Sequence, residues 1–211
     1  MFRRLSSRTL ILNTLPCLAL CLAGCITTPY GVVAGSNSND GTTIVMPAGA
    51  PSIFRGFNGN TRGDAPNAHV GLDVVATVGA PVLAVAPGEV TAVSGNLLSG
   101  RRIVIDHGKD RSGTGYSTRY FHLDSQLVKI GDQVKRGQII GRVGATGLLA
   151  TYPHLHFQLH RGYGFGKAVN PHEYWLDGPG RVTCFVPNTS VQASQFRMIY
   201  PVKCMTADKT N

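Results

Sequence analysis

The apolar residues along most of the chain follow the pattern of short β-strands. Between residues 51 and 176, runs of β-branched, aliphatic or aromatic residues recur, each bounded by Gly, Asp or Ser, and no segment of about 12 residues has a helical period. The clearest runs are 82–85, 89–93, 102–105, 118–121, 138–141 and 155–159. The sequence therefore predicts an all-β, mainly antiparallel domain over residues 51–176. Helix should be minimal, with a single turn that opens at Pro171 after an Asn170 cap.

The glycine spacing within residues 128–144 leaves a second fold open. The pattern V-x-x-G-x-x-V-x-x-G-Q-x-I-G-x-V-G marks sharp turns between short strands. Biotinyl and lipoyl carrier domains use similar patterns, so a carrier-like barrel is the alternative. A carrier needs its modified lysine at a hairpin tip, and nothing in this sequence marks such a lysine.

The two ends of the chain differ in composition from this domain. Residues 25–50 are rich in Gly, Ser, Asn and Thr with weak periodicity, which predicts a flexible tether. Residues 177–211 form a separate C-terminal extension, in which segments 182–186 and 196–202 are expected to pair as a hairpin.

The first 24 residues have the order of a lipoprotein signal peptide. Three arginines precede an apolar run at residues 10–22, which is too short for a convincing membrane span. The run ends in Leu-Ala-Gly-Cys at Cys25, which resembles a bacterial lipobox. The resemblance implies cleavage before Cys25 and a lipid anchor on its sulfur. Ile26 follows, where an aspartate would indicate retention in the inner membrane, so we expect attachment to the outer membrane, facing the periplasm.

Composition and charge narrow the class of protein. Of the 211 residues, 43% are hydrophobic and 15% charged, which argues against a disordered chain and against a charged helical bundle. The formal net charge of +9 falls by three, to +6, when residues 1–24 are removed. A modestly basic surface suits anionic polymers or lipid headgroups. Because the chain has no basic run and no aromatic–basic alternation, we expect no nucleic-acid partner.

The five cysteines sort by position. Cys17 and Cys21 lie in the predicted signal peptide and Cys25 is the predicted lipid site, so Cys184 and Cys204 remain as an even pair. In an oxidising compartment they would form one disulfide, which closes the predicted hairpin and stabilises by roughly 3 kcal/mol. Two free buried thiols are the alternative.

A stretch of alternating residues brings two histidines to one strand face. In His-Leu-His-Phe-Gln-Leu-His at residues 154–160, the apolar side chains occupy one face. His154 and His156 therefore share the other face, with Cα atoms roughly 6.6 Å apart, and both can reach one ion or one substrate. Gln158 lies on the same face and could support a ligand from behind. His160 lies roughly 13 Å beyond His156, too far to share the site directly.

A second motif, His-Val-Gly-Leu-Asp at residues 69–73, offers a further imidazole and a carboxylate. Alternation puts His69 and Asp73 on one face, roughly 13 Å apart on a straight strand, and Gly71 between them supplies the bend that they need. Two imidazoles, one carboxylate and a water form a catalytic zinc site. The same set also suits non-haem iron. His122 and His154 could then move protons and stabilise an oxyanion.

Four motifs in a fixed order carry a family resemblance. H-x-G-x-D at 69–73, Y-x-H-L at 120–123, G-Q-x-I-G at 137–141 and H-L-H-F at 154–157 resemble the lysostaphin/LytM-type peptidoglycan endopeptidases. The resemblance covers roughly residues 60–175. It implies a compact β-sandwich with a groove between loops, and a zinc enzyme that cuts peptide cross-links of peptidoglycan. It also implies that His69, Asp73 and His156 hold the metal, while His122 and His154 are catalytic and unligated.

The sequence departs from this family at two places beside the predicted site. The family often has a Ser/Thr- and Gly-rich stretch before H-x-H and a glutamate after the phenylalanine. Here residues 146–153 and Gln158 stand in those places. The ligands are intact, so the departures bear on loop shape and substrate preference. Asn67, Arg119 and Tyr120 are further candidates for substrate contact.

The resemblance leaves the scissile bond and the activity to be tested. A lipoprotein with a disulfide indicates a bacterium with two membranes, which favours the D-Ala–diaminopimelate cross-link, with glycyl bridges as the alternative. Some relatives of this fold have lost the ligands and act as binding or activator modules. Retention of all the metal ligands favours the enzyme.

Overall fold

The structure is a computed structural model that describes residues 42–59, 68–162, 166–189, 191 and 194–205. The predicted signal peptide, Cys25, most of the predicted tether and Asn67 lie outside the described residues. Within the described ranges, no helix has the length and apolar character that a membrane crossing requires. Their helical structure is one 3-10 turn, Pro171–Glu173, whose His172 backbone N–H donates to the Asn170 side chain. The predicted turn and its cap are confirmed.

The domain is built from short strands that pair in antiparallel fashion. They are β1 Ile53–Arg55, β2 Leu72–Val75, β3 Pro81–Leu83, β4 Gly88–Asn96, β5 Gly100–Lys109, β6 Gly115–Leu123, β7 Ser125–Gln126, β8 Gln133–Val134, β9 Ile139–Arg142, β10 His154–Arg161 and β11 Lys167–Val169. The all-β, mainly antiparallel prediction is confirmed, and every predicted strand run overlaps one of these elements.

Two sheets share one core. The larger sheet has the order β1-β2-β10-β6-β5-β4-β8, and the smaller has the order β3-β9-β7. Strand β11 pairs with the end of β10, beyond the residues of β10 that pair with β2. Leu72 and Phe157 of the larger sheet and Val82 and Ile140 of the smaller are all 0% exposed and belong to one apolar cluster. Each such side chain contributes roughly 1.5–3 kcal/mol by leaving water. The core therefore fixes β2 beside β10, the pair on which the site is built.

The prediction of a separate C-terminal hairpin is wrong. The described residues of segments 182–186 and 196–202 form no strand, and Val182, Tyr200 and Val202 are buried in the same core as the sheets. One hydrogen bond, from the Tyr200 N–H to the Thr183 carbonyl at 2.7 Å, joins the segments. Others run to the domain, such as that from the Ile199 N–H to Val85. The apolar alternation of these segments correctly indicated buried residues, but it did not indicate that they pack against the sheets rather than against each other.

Cys184 and Cys204 form a disulfide, with Cα atoms 6.0 Å apart. This is the pair that the cysteine positions predict. The bond joins two irregular segments that already pack on the domain, rather than the two arms of a hairpin.

The prediction of a flexible tether is wrong for residues 42–50. Ile44 and Met46 are 3% and 6% exposed and belong to the common core. Between them, the Val45 N–H donates to the Gly180 carbonyl, and the Val45 carbonyl accepts from the Val182 N–H. The alternation of Ile44 and Met46 is a strand-like signal, but it is only three residues long and lies in a polar, glycine-rich stretch. Residues 25–41 lie outside the described ranges.

Candidate metal centre

The register of β10 sets the site. His156 lies directly opposite Asp73 of β2 and, on its other side, opposite Phe121 of β6. Residues that face each other in an antiparallel pair have Cβ atoms about 4.5–5.5 Å apart, close enough for their side chains to meet. Leu155 and Phe157 are 0% exposed on the core face, so the predicted alternation is confirmed.

His69 reaches the same point because the chain bends before β2 begins at Leu72. The bend lies at Gly71, where a Cβ would overlap the carbonyl oxygen of Phe157 and would lie 3.0 Å from Cε1 of His156. A side chain at this position would push β2 away from β10. The predicted bend at Gly71 is confirmed, and glycine also permits the close approach of the two strands.

Three potential ligand atoms converge. Nε2 of His69 lies 3.1 Å from Oδ1 of Asp73 and 3.1 Å from Nδ1 of His156, and that Nδ1 lies 2.7 Å from the same Oδ1. Ligands at about 2.0–2.1 Å from a tetrahedral ion are roughly 3.3 Å apart. Two nitrogens and one oxygen at this spacing fit a single Zn²⁺ with an open fourth position. The three residues group together as predicted.

The charges in the cluster suit a cation. Burial by itself would raise the pKa of Asp73, but the adjacent rings of His156 and His69 hold this pKa well below its usual range. Burial lowers the pKa of His156, against the opposing effect of Asp73. A carboxylate between neutral imidazoles is the protonation state in which all three groups can donate lone pairs to a metal.

The backbone fixes the tautomer of His69. Its Nδ1 lies 2.8 Å from the carbonyl oxygen of Gly56. Because a carbonyl only accepts, Nδ1 carries the proton and donates, which leaves Nε2 bare. Nε2 is the atom that faces Asp73 and His156, so this hydrogen bond presets His69 as an Nε2 ligand.

His122 and His154 stand beside the cluster with the same tautomer. Nδ1 of His122 donates to the Thr146 carbonyl at 3.0 Å, and Nδ1 of His154 donates to the Tyr152 carbonyl at 2.8 Å. Both Nε2 atoms are therefore free to accept a proton. The two rings are 4.8 Å apart between centroids, and Nε2 of His154 is 3.7 Å from Oδ1 of Asp73. The structure brings both predicted catalytic histidines to the site.

His122 has an unusual backbone conformation. Its φ of 62° lies in the left-handed region, which costs energy for a residue with a side chain and is often found at active sites. The loop that accepts its hydrogen bond is itself held, since the Thr146 hydroxyl donates to the Leu123 carbonyl and accepts from the Arg101 N–H. Burial lowers the pKa of His122, so the neutral, proton-accepting form is favoured.

The carbonyls of Gly56, Thr146 and Tyr152 were not predicted as parts of the site. They act through the backbone, and a carbonyl has no signature in a sequence. Tyr152 also places its ring 4.6 Å from that of His154 and 5.2 Å from that of Phe54. Its place two residues before His154 is the only signal that could have pointed to it.

The prediction that Tyr120 contacts substrate is wrong. Tyr120 is 0% exposed on the core face of β6, and its hydroxyl oxygen accepts from the Val85 N–H at 3.2 Å. Arg119, the neighbouring residue, lies on the other face, opposite Gln158 of β10. It is half-buried, and its Nε has no hydrogen-bond partner among the described residues. Arg119 therefore remains a candidate for substrate contact, and Tyr120 does not.

Comparison with known proteins identifies the family. Residues 67–171 match the family described as Peptidase family M23. The catalytic domain of lysostaphin from Staphylococcus simulans is 32% identical in sequence, and the match covers 57% of this chain and 89% of that domain, with a TM-score of 0.48. This chain belongs to peptidase family M23. The resemblance drawn from the four motifs is confirmed.

Two further relatives come from Vibrio cholerae. Peptidoglycan DD-endopeptidase ShyB is 46% identical over 91 residues, which are 43% of this M23 chain and 20% of ShyB. The crystal structure of a zinc containing peptidase is 33% identical, with 64% of this chain and 44% of that chain covered and a TM-score of 0.48. The M23 chain thus spans about a fifth of the length of the curated relative. The residues matched by the family contain all five histidine and aspartate positions of the site.

Proposed function

We propose that this M23 domain is a zinc-dependent endopeptidase that hydrolyses peptide cross-links of bacterial peptidoglycan. The convergence of His69, Asp73 and His156 on one point, with every pair of donor atoms within 3.1 Å, is the observation that carries the proposal. The names of ShyB, a peptidoglycan DD-endopeptidase, and of the zinc containing peptidase support the substrate and the metal.

The chain's own groups define the roles around the metal. Nε2 of His69, Oδ1 of Asp73 and Nδ1 of His156 would hold Zn²⁺, which, when bound, lowers the pKa of a water and polarises a carbonyl. The anionic Asp73 reduces the net charge of the ion, and the two neutral imidazoles leave it positive enough to act as a Lewis acid. Iron is the alternative for this donor set.

His122 and His154 handle the proton in this proposal. As water adds to the peptide carbonyl, its proton passes to a bare Nε2 of this pair. The resulting imidazolium donates to the oxyanion and then returns the proton to the amide nitrogen as the C–N bond breaks. The carbonyls of Thr146 and Tyr152 keep Nδ1 of each ring occupied, so Nε2 is the atom that accepts and donates. Such proton transfer contributes typically 10²–10⁴-fold to the rate.

The proposed bond is that between D-Ala and diaminopimelate, with the glycyl bridge as the alternative. Purified muropeptide dimers of both kinds can be digested with the wild-type protein and with the His69→Ala variant, and the products weighed by mass spectrometry. We expect addition of one water per cross-link with the wild type only. Lys203→Ala, an exposed substitution, serves as the matched control. Zinc-loaded wild type that leaves both dimers intact would favour a binding or activator module.

We also propose that a lipid on Cys25 anchors the protein to the outer membrane, facing the periplasm. The Leu-Ala-Gly-Cys motif and the Cys184–Cys204 disulfide, which suits an oxidising compartment, support this. Mass spectrometry of the mature N-terminus and membrane fractionation, with Cys25→Ser as control, test it. An unmodified cysteine, or recovery in the inner membrane, would contradict it.

A further inference from the structure

A chain of polar contacts runs along β10 away from the metal centre. Nε2 of Gln158 lies 2.9 Å from Nε2 of His156, and Oε1 of Gln158 lies 2.9 Å from Nε2 of His160. Nδ1 of His160 lies 2.9 Å from the carbonyl oxygen of Gly166. The chain thus begins at a ligand of the proposed metal site and ends on a backbone acceptor.

The Gly166 carbonyl decides where each proton in this chain lies. Because a carbonyl only accepts, Nδ1 of His160 carries a proton and donates. A neutral His160 then has a bare Nε2, which must accept, and an amide oxygen opposite it cannot donate. The two amide atoms of a glutamine are assigned from their hydrogen bonds. These hydrogen bonds therefore require the amide nitrogen and oxygen to exchange places, so that the nitrogen faces His160 and the oxygen faces His156.

An oxygen at this position determines the tautomer of His156. The amide oxygen accepts a proton from Nε2 of His156, which leaves Nδ1 bare. Nδ1 is the atom that lies 2.7 Å from Asp73 and 3.1 Å from Nε2 of His69. The hydrogen bond to Gln158 thus presets His156 as an Nδ1 ligand, as the hydrogen bond to the Gly56 carbonyl presets His69 as an Nε2 ligand.

The opposite orientation of the amide conflicts with the metal centre. If the amide nitrogen faced His156, Nε2 of His156 would have to accept, and its proton would lie on Nδ1, which could then bind no ion. The amide oxygen would face His160, whose two nitrogens would both need protons to donate to Gln158 and Gly166. His160 is 7% exposed, and a buried imidazolium carries a desolvation cost that a neutral ring avoids.

We propose that Gln158, oriented by His160 and the Gly166 carbonyl, is a positioning residue that holds the proton of His156 on Nε2 and so presents Nδ1 to the zinc ion. This inference rests on the metal site of the proposed function. It assigns a role to the amide that stands where the resembled family often has a glutamate. Both side chains offer an oxygen to His156, but only the amide can also donate to His160.

Zinc affinity of the full chain tests this role without measuring peptidase activity. Dissociation constants can be measured by competition with a chromogenic chelator for the wild type, Gln158→Met and Gln158→Glu. Loss of a partner of this kind weakens metal binding by about 10–100-fold. We expect that loss in Gln158→Met, which keeps the length of the side chain but accepts no proton. Gln158→Glu keeps the acceptor and should bind within a few-fold of the wild type.

A second measurement reports the hydrogen bond itself. In zinc-loaded protein with ¹⁵N-labelled histidine, we expect a slowly exchanging Nε2–H resonance of His156 in the wild type and Gln158→Glu, and faster exchange in Gln158→Met. Gln133→Met, at an exposed position of strand β8, is the matched control and should bind zinc as the wild type does.

The outcomes separate this inference from the proposed function. A wild-type chain that binds no zinc would remove the metal site itself. A zinc-binding wild type with an equally tight Gln158→Met variant would overturn only the role of Gln158. Should Gln158→Met fail to fold, Gln158→Glu decides alone, because tenfold weaker zinc binding by a folded variant that keeps the acceptor oxygen would show that this oxygen does not set the affinity.

Discussion

Gly71 lies so close to the backbone carbonyl of Phe157 that no side chain fits between them. The contact joins the bend before β2 to the middle of β10, and it is therefore the point at which His69 and Asp73 are brought against His156. The geometry of the metal centre therefore depends on the absence of a Cβ atom at residue 71.

Substitution Gly71→Ala should damage both the fold and the metal site. The added Cβ would overlap the Phe157 carbonyl, and insertion of a methyl group into a closely packed position typically costs about 1–3 kcal/mol. We expect a lower unfolding midpoint in urea and weaker zinc binding. Gly59→Ala, where a Cβ would make only an ordinary contact of 3.4 Å with the Phe57 ring, is the control. Equal zinc affinity in Gly71→Ala and wild type would contradict the role of the bend.

Zinc content should separate the ligands from the two unligated histidines. His69→Ala removes one of three donors and should lose stoichiometric zinc. His122→Ala and His154→Ala leave the three donors in place, so we expect close to one zinc per chain and a fall in kcat of about 10²–10⁴-fold. Elemental analysis of dialysed protein, alongside turnover of a cross-linked muropeptide, measures both quantities. Loss of zinc from His154→Ala would make that residue a ligand instead.

The strands and four site residues, His69, Asp73, His154 and His156, could be predicted because period-two alternation fixes which side chains share a face, whereas His122 came from its motif alone. For His156 and Asp73, alternation was enough, since β10 and β2 pair directly. Alternation was not enough where the strand is irregular or where a segment packs outside the paired strands. Tyr120 was proposed as a substrate contact, yet it is 0% exposed on the core face of β6. Regular alternation would put Tyr120 and His122 on one face, but the left-handed backbone of His122 interrupts that alternation. Ile44 and Met46 show the same limit, because a short apolar signal does not reveal what covers it.

Arg119 should affect substrate binding more than chemistry. It lies on the site face of β6, half-buried, with an Nε that lacks a partner in the described part of the chain. A guanidinium in this position can pair with a carboxylate of a peptidoglycan stem peptide. We expect Arg119→Gln to raise KM several-fold, with little change in kcat or zinc content, and Arg119→Lys to restore part of the loss. A change confined to kcat would contradict a binding role.

A chain of polar contacts runs from two buried hydroxyls to the surface and links four groups. The Tyr120 and Thr118 hydroxyls lie 3.1 Å apart, the Thr118 hydroxyl lies 2.8 Å from Nε2 of His107, and Nδ1 of His107 donates to the Pro87 carbonyl at 2.7 Å. Since Nδ1 donates, Nε2 of the neutral ring is an acceptor, and it faces the Thr118 hydroxyl. Protonation of His107 would place a proton on Nε2, which could then no longer accept a hydrogen bond.

Stability should therefore fall in acid because of His107. Burial lowers the pKa of His107 to about 4, with the Pro87 hydrogen bond and Asp106 opposing the shift and Arg136 adding to it. An unfolded chain, with a histidine pKa near 6.5, binds the proton first. The stabilising contribution is complete above about pH 6.5 and declines as the pH falls to about 4, by about 1–3 kcal/mol. Urea unfolding at both pH values should show a smaller decline in His107→Gln than in wild type, whereas equal declines would place the acid sensitivity elsewhere.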